Sequence, residues 1–301
     1  MNVRRPRETD LAQVLELMAA CDLADAGEAE VAESEMQAHW RKLDLERDAW
    51  LVELDESLAG YADFEQLQGG RLMADGYVHP EARGRGVGSE LVRLTEARAA
   101  ERLPELDGRV YLQNATLADA AAFYESRGYR SIRRFRRMAI DLDREPEVEP
   151  PEGLALRPLT TDDSRAVHAA MEEAFADHWE HRRRTFEEYS QRTFAREDYE
   201  PSLCVLAEAD GELAGASLNW WKDIGGGGWI GTIGVRPAFR RRGIGEALVL
   251  ASFAEFVRRG ETRVALGVDA QNETGAVRLY ERLGMRTVWE AVVWEKELRA
   301  A

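Results

Sequence analysis

Three blocks of this chain occur twice, in the same order and at nearly the same spacing. VHPEARGRGVGSELV, from Val78, aligns without gaps on VRPAFRRRGIGEALV, from Val235. LVELDESLAGYA, from Leu51, aligns on LAEADGELAGAS, from Leu206, and FYESRGYR, from Phe123, on LYERLGMR, from Leu279. Self-similarity over half a chain means one structural unit built twice. The 301 residues suit two domains of ~150 residues better than one core. Between the copies lies DLDREPEVEPPEG, rich in Pro and Glu and nearly free of apolar residues. Such a stretch cannot build a core and reads as a linker. We therefore expect domains at 1–143 and 153–301, joined by a linker at 144–152.

Each half carries the same order of local signals. A short strand, NVRRP or LALRPL, precedes a Thr-Asp pair suited to start a helix, Thr9-Asp10 or Thr161-Asp162. LAQVLELMAACDL and SRAVHAAMEEAF then space apolar residues helically, and EMQAHWRKLD and FEEYSQRTF follow as second helical stretches. Two strands come next in each half, with turns at Asp55–Ser57 and at Asp210-Gly211. A third strand, RLMADGYVHP or GWIGTIGVRP, runs into the glycine motif, and a helix leaves it. A strand, a helix and closing strands complete each copy. Antiparallel hairpins followed by a strand–helix–strand crossover predict an α/β (α+β) fold of two tandem domains. Each would be a mixed, mostly antiparallel sheet flanked by helices. Trp220, Trp221, Trp229, Trp289 and Trp294 are expected as core or cleft-wall aromatics of the second half.

The glycine motif is the chemical centre of each copy. Arg83, Gly86 and Gly88 in the first, and Arg240, Gly243 and Gly245 in the second, stand between a strand and a helix. A helix N-terminus leaves about four N–H groups without internal partners, and its dipole adds roughly half a positive charge. Glycine lets an anion approach those amides, so the turn reads as a pyrophosphate seat. Around it stand Gly84, Arg85, Val87 and Ser89 in one copy, and Arg241, Arg242, Ile244 and Glu246 in the other. There is no G-x-x-x-x-G-K-[ST], and no G-x-G-x-x-G, because Leu91 and Leu248 stand where the third glycine would be.

The pattern V-x-P-x-x-R-x-R-G-x-G, then a strand, then N-x-x-x-A-x-x-[LF]-Y-[EQ]-x-x-G-[FMY], resembles the GNAT acyltransferase superfamily. The tandem arrangement is similar to that of mycothiol synthases and related two-domain actinobacterial acetyltransferases, and the resemblance spans nearly the whole chain. It implies acetyl-CoA as co-substrate and N-acetylation of a primary amine by direct attack. It also implies that the strand before each turn splays from its neighbour and pairs with the pantetheine arm. That role falls on Tyr77–Val78 and on Ile233, Gly234 and Val235. Tyr124 and Tyr280 would protonate the departing thiolate, which suits a phenol of pKa near ~10 facing a thiol near ~8.5. Asn272, eight residues before Tyr280, would bond the CoA arm. The first copy has Thr116 at that spacing, with Asn114 two earlier, so the resemblance makes the C-terminal copy the active one. The alternative is an acyl-CoA-binding or sensor protein without turnover.

No general base stands out in the second copy. Its strand GWIGTIGV carries Thr232 and no carboxylate, whereas the first copy carries Asp75. Asp177, Asp223 and Glu290 are the remaining candidates, with His178 and His181 expected on a helix surface. No cluster has zinc spacing, so no metal is expected. Cys21 and Cys204 are expected as packed, free thiols. The net charge of −16 argues against nucleic acid as partner and fits a small amine or peptide amine. No run of eighteen apolar residues spans a membrane, and MNVRRPRETD lacks the apolar core of a signal peptide. We expect a cytoplasmic protein, either a monomer (as a pseudo-dimer) or a homodimer.

Overall fold

A computed structural model describes every residue except 28, 30–32, 68, 118–119, 179–180, 197–198, 222–226, 273 and 301, and it leaves out the side chains of residues 34 and 35. The elements in chain order are β1 (Asn2–Arg4), α1 (Leu11–Asp25), α2 (Glu33–Trp40), α3 (Leu45–Asp48), β2 (Ala49–Leu54), β3 (Ser57–Gln66), β4 (Arg71–Val78), α4 (Val87–Arg102), β5 (Val110–Thr116), α5 (Ala121–Glu125) and β6 (Arg130–Asp141). There follow β7 (Leu154–Pro158), α6 (Ser164–Ala174), α7 (Phe186–Thr193), β8 (Val205–Ala209), β9 (Glu212–Trp220), β10 (Gly228–Val235), α8 (Ile244–Arg258), β11 (Arg263–Asp269), α9 (Ala276–Arg282) and β12 (Arg286–Arg299).

The chain divides into two compact units, Met1–Phe135 with Trp289–Ala301, and Arg136–Val288. A cut at the Pro/Glu-rich linker gives different groupings. The end of β12 completes the first unit by pairing antiparallel with β5, Trp294 opposite Asn114 and Lys296 opposite Leu112. The end of β6 completes the second, beside β11. Trp294 is thus a core residue of the first unit, not of the second half's sheet.

Within each unit the sheet is mixed and mostly antiparallel, with helices on both faces. The first orders its strands β1-β2-β3-β4-β5-β12, with β4 and β5 parallel. The second orders them β7-β8-β9-β10-β11-β6, with β10 and β11 parallel. Strand alternation sorts side chains between two cores. In the first unit Val52, Ala62, Phe64, Leu72, Ala74 and Leu112 pack with Val87, Leu91 and Ala99 of α4. Leu51 and Tyr61 face the other way, onto Val14 and Leu17 of α1 and Trp40 of α2. In the second, Leu206, Ala216 and Leu218 meet Val167 and Met171 of α6. Ile230, Val264 and Leu266 meet Val249, Phe253 and Phe256 of α8. Burying each such large side chain contributes about 1.5–3 kcal/mol.

Both expected hairpin turns form. Asp55 and Glu56 have φ of 51° and 66°, and Asp210 and Gly211 have 57° and 77°, so both turns use the left-handed pair that suits two-residue hairpins. At the start of each unit one arginine ties strand to helix. Arg4 binds Asp10 and Glu53, and Arg157 binds Asp163 and Glu208. In the second unit the helical segment starts one residue earlier than expected. Thr160, not Thr161, precedes it, with its N–H and hydroxyl donating to Asp163.

Candidate active site

Each strand–turn–helix junction depends on left-handed glycine. Gly86 has φ 89° and Gly243 has φ 79° as the residues just before α4 and α8. Among the described residues no side chain caps either helix. The cap-closing bonds are Glu90 N to Gly86 O and Ala247 N to Gly243 O, both 3.1 Å. The amides of Val87, Gly88 and Ser89, and of Ile244, Gly245 and Glu246, precede them and carry the helix's positive end. Gly84, at φ 74°, is matched in the second turn by Arg241, a non-glycine at φ 60°.

The surrounding arginines are not equivalent. Arg83 makes a double hydrogen bond to Asp25, at 2.8 Å for each arm, and Arg240 donates to the carbonyls of Val235 and Ala174. Arg85 binds Asp55 and Arg242 binds Asp210, each at 2.9 Å, so both brace a hairpin turn. Arg241 is exposed and has no ion pair among the described residues. Arg127, which no sequence signal singled out, donates to the Ser89 hydroxyl at 2.7 Å and brings a guanidinium to the first turn. Its place in the second turn goes to Arg282, 3.8 Å from Glu246.

The strand before each turn splays as expected of the family. β4 pairs with β5 only from Arg71 to Ala74, yet stays paired with β3 through Val78. β10 pairs with β11 only from Gly228 to Ile230, and with β9 through Val235, with a register shift between Ile230 and Thr232. A notch therefore opens beside Asp75–Val78 and beside Thr232–Val235. An extended chain can add itself to such a strand edge. The Cys21 thiol donates to Val78 O at 3.3 Å, and burial pushes it up to about 11, so it packs and does not attack. Cys204 is likewise free and buried.

The two tyrosines sit in different walls. Tyr124 stacks on Trp294 with centroids 5.4 Å apart and meets Tyr129 edge-on at 5.2 Å. Around it Asn114 Nδ2, Trp294 Nε1 and the Tyr129 hydroxyl are buried without a hydrogen-bond partner among the described residues. Tyr280 lies in an apolar wall with Met138, Leu266 and Met285, and burial alone pushes its hydroxyl up to about 12. Burial first, and then the charge of Asp75, raise the Tyr124 hydroxyl above the ordinary phenol value.

The base candidates separate cleanly. Glu290 lies in the first unit, with the end of β12, and accepts from Arg134 at 2.8 Å. Asp177 is exposed, and Asp223 lies outside the described residues. His181 pairs with Glu172 at 3.4 Å, and His178 packs edge-on against Phe175. Thr232 faces Leu218 across β9. In the first unit Asp75 faces Asp63 across β3, and desolvation first, then the Asp63 charge, raises Asp75 to about 6. Asn272 folds back on itself locally, its Oδ1 accepting from Thr274 N at 2.7 Å. No group of metal-ligating side chains is present among the described residues.

Residues 168–285 match the acetyltransferase (GNAT) family, and residues 46–131 match the acetyltransferase (GNAT) domain. Over 307 aligned residues the chain is 30% identical to the mycothiol acetyltransferase of Geodermatophilus obscurus, covering 98% of this chain and 97% of that one. The chain belongs to the GNAT acetyltransferase family. Among solved structures, a GCN5-related N-acetyltransferase from Sphaerobacter thermophilus superposes with a TM-score of 0.87 at 36% identity, covering 100% of this chain and 96% of that one. A tandem GNAT protein from the clavulanic acid biosynthesis pathway shares the fold at TM-score 0.72 and 20% identity, covering 100% and 99%. This GNAT chain is an acetyltransferase with two GNAT domains in tandem. No helix among its described residues is long and apolar enough to cross a membrane.

Proposed function

We propose that this chain transfers the acetyl group of acetyl-CoA to a primary amine by direct attack. The observation that carries this reading is the coincidence, in both units, of a splayed strand edge with an open helix N-terminus. The amides of Val87–Ser89 and Ile244–Glu246 would hold the pyrophosphate, and Arg241 and Arg127 would add charge. A Cβ on Gly88 would meet Val78 and Phe123, and one on Gly245 Leu279 and Val235, at ordinary contact distances of 3.5–3.9 Å. Bound there, the co-substrate supplies an activated thioester acetyl. The splayed edges of Tyr77–Val78 and Ile233–Val235 would orient its arm. The Val235 amide is placed in this reading to polarise the acetyl oxygen. Tyr280 and Tyr124 are the groups from which the thiolate would take its proton. No covalent intermediate on the protein is needed, because orientation makes the attack unimolecular.

The acceptor in this reading is a small amine or peptide amine, which the net charge of −16 suits. Mycothiol-type acceptors belong in the panel on the name of the relatives. The two free buried thiols fit a reducing compartment. The reading without turnover has one specific support, in the second unit. There Trp220, Met171 and Ala174 crowd the strand that would present a base. Isothermal titration with acetyl-CoA, beside a free-thiol assay over an amine panel, tests the proposal. Binding with amine-dependent thiol release is expected, and Gly243→Val should weaken binding. Binding with no release on any amine would leave a sensor.

A further inference from the structure

The Pro/Glu-rich stretch between the two repeats is docked along one helix of the second unit. The end of β6 and all of β7, which it joins, both belong to that unit. It leaves β6 at the C-terminal end of α8, where Leu142 N donates to Thr262 O at 2.6 Å. Glu145 then accepts from Arg258, the last residue of α8, at 2.5 Å. At Pro151 it has reached the other end of the same helix. A Cβ on Gly243, the residue just before α8, would come within 3.0 Å of the Pro151 ring. Leu154 N closes a turn onto Pro151 O at 3.0 Å, with Gly153 at φ 77°.

The composition of the stretch suits this docking. Leu142, Pro146, Val148 and Pro151 are half-buried, and Arg144, Glu145, Glu147, Glu149 and Glu152 between them are exposed. One side is thus apolar and the other charged. Prolines at 146, 150 and 151 lack the N–H that a further strand would need, so the stretch lies against the unit without extending its sheet. The 15 residues of α8 span about 22 Å, whereas the chain from Leu142 to Leu154 could span about 40 Å fully extended. That slack lets the Pro151 end lift while the Glu145 end stays bound.

The charge stands where an anion is expected to bind. Glu149 and Glu152 lie within about 7 Å of Pro151 along the chain, and Pro151 lies against the residue that opens α8. The positive end of α8 attracts these carboxylates. It attracts a diphosphate as well, and the two anions repel one another.

Resting on the reading of that turn as a pyrophosphate seat, we propose that residues 146–153 form an autoinhibitory strap over the second unit's acetyl-CoA site. Docked, the strap keeps Pro151 on Gly243 and two carboxylates beside the seat. Acetyl-CoA binding lifts the Pro151 end, while the Arg258–Glu145 pair holds the other. Such coupling is reciprocal, so whatever loosens the strap tightens acetyl-CoA binding.

The test uses the full chain and acetyl-CoA. In the wild-type chain a glutamyl endopeptidase, followed by fragment mass, should cut after Glu147 or Glu152 about three-fold faster, or more, once acetyl-CoA is saturating. Glu149→Gln combined with Glu152→Gln should tighten acetyl-CoA binding by about three-fold at low ionic strength, and the gain should shrink at high salt. Pro150→Gly combined with Pro151→Gly should tighten it as well, with the salt dependence kept. Cutting that acetyl-CoA slows or leaves unchanged, or variants that bind no tighter than wild type, would overturn the strap and leave the acetyl-transfer reading standing. A wild-type chain that binds no acetyl-CoA would overturn both.

Discussion

Asp75 on β4 lies directly across from Asp63 on β3, two carboxylates on one face of a sheet, with the His39 imidazole 3.1 Å from Asp63. Like charges opposite one another on a sheet are destabilising, so the pair marks a place where stability is given up. The sign follows from linkage. Asp75 holds its proton up to about 6 in the fold, against about 3.9 for an unfolded Asp. Its ionisation therefore costs stability progressively from the unfolded value upward, and the full cost is present above pH 6. Asp75→Asn should raise stability at pH 8 by about 1–3 kcal/mol, read as a higher melting temperature, and change nothing at pH 3.5. Thermal melts at the two pH values check this. Equal shifts at both would mean that Asp75 ionises freely.

Arg241 combines a left-handed backbone with an exposed, unbridged guanidinium beside the second seat. For an L-residue that conformation costs roughly 1–2 kcal/mol relative to glycine. Gly84 occupies the matching position in the first turn without that cost. Arg241→Gly should thus leave stability unchanged or improve it by up to about 1 kcal/mol, while acetyl-CoA affinity falls and loses part of its salt dependence. Calorimetric binding at two ionic strengths, with a melt alongside, separates the effects.

Much of this was legible in the sequence, for reasons particular to each residue. The repeat, the two hairpins and both glycine turns were readable because their chemistry is local. Gly86 and Gly243 need only their own φ, and Asp55 and Asp210 only their own turn. The family resemblance then supplied the splayed strand and the tyrosines. What failed to show was long-range. RSIRRF and RTVWEA read alike as strands, and nothing local says that Trp294 completes the wall around Tyr124 while Met138 completes the one around Tyr280. Hence Glu290, late in the chain, groups with the first unit. Asp75 was visible on its strand, but Asp63 and His39 become its partners only through the register of β3 and the placement of α2. Arg127 carried no signal, since its role comes from the return of α5 to the start of α4.

The second unit holds a closed buried network that ties β9 to α8. Asn219 donates to Leu203 O at 2.9 Å and to the Ser252 hydroxyl at 3.1 Å, Ser217 donates to Asn219 Oδ1 at 2.9 Å, and Ser252 donates to Leu248 O at 2.8 Å. Asn219→Ala leaves a buried carbonyl and two hydroxyls short of partners. The expected loss is about 2–4 kcal/mol, read as a lower denaturation midpoint. Ser252→Ala should cost less, since it frees fewer groups.

Arg157 and the Thr160 amide hold the Asp163 carboxyl well below the usual carboxylate range. A depressed value means stability present above the unfolded pKa of about 3.9 and lost as pH falls. Asp163→Asn should cost about 1 kcal/mol at pH 7 and progressively less in acid. A pH series of urea midpoints for the two chains should converge toward low pH. Parallel curves would remove the carboxylate's charge from the explanation.

The most direct measurement is a crystal structure of the chain with acetyl-CoA. The diphosphate is expected within hydrogen-bond reach of the Ile244–Glu246 amides, of the Val87–Ser89 amides, or of both. A nucleotide bound away from both glycine turns would contradict it.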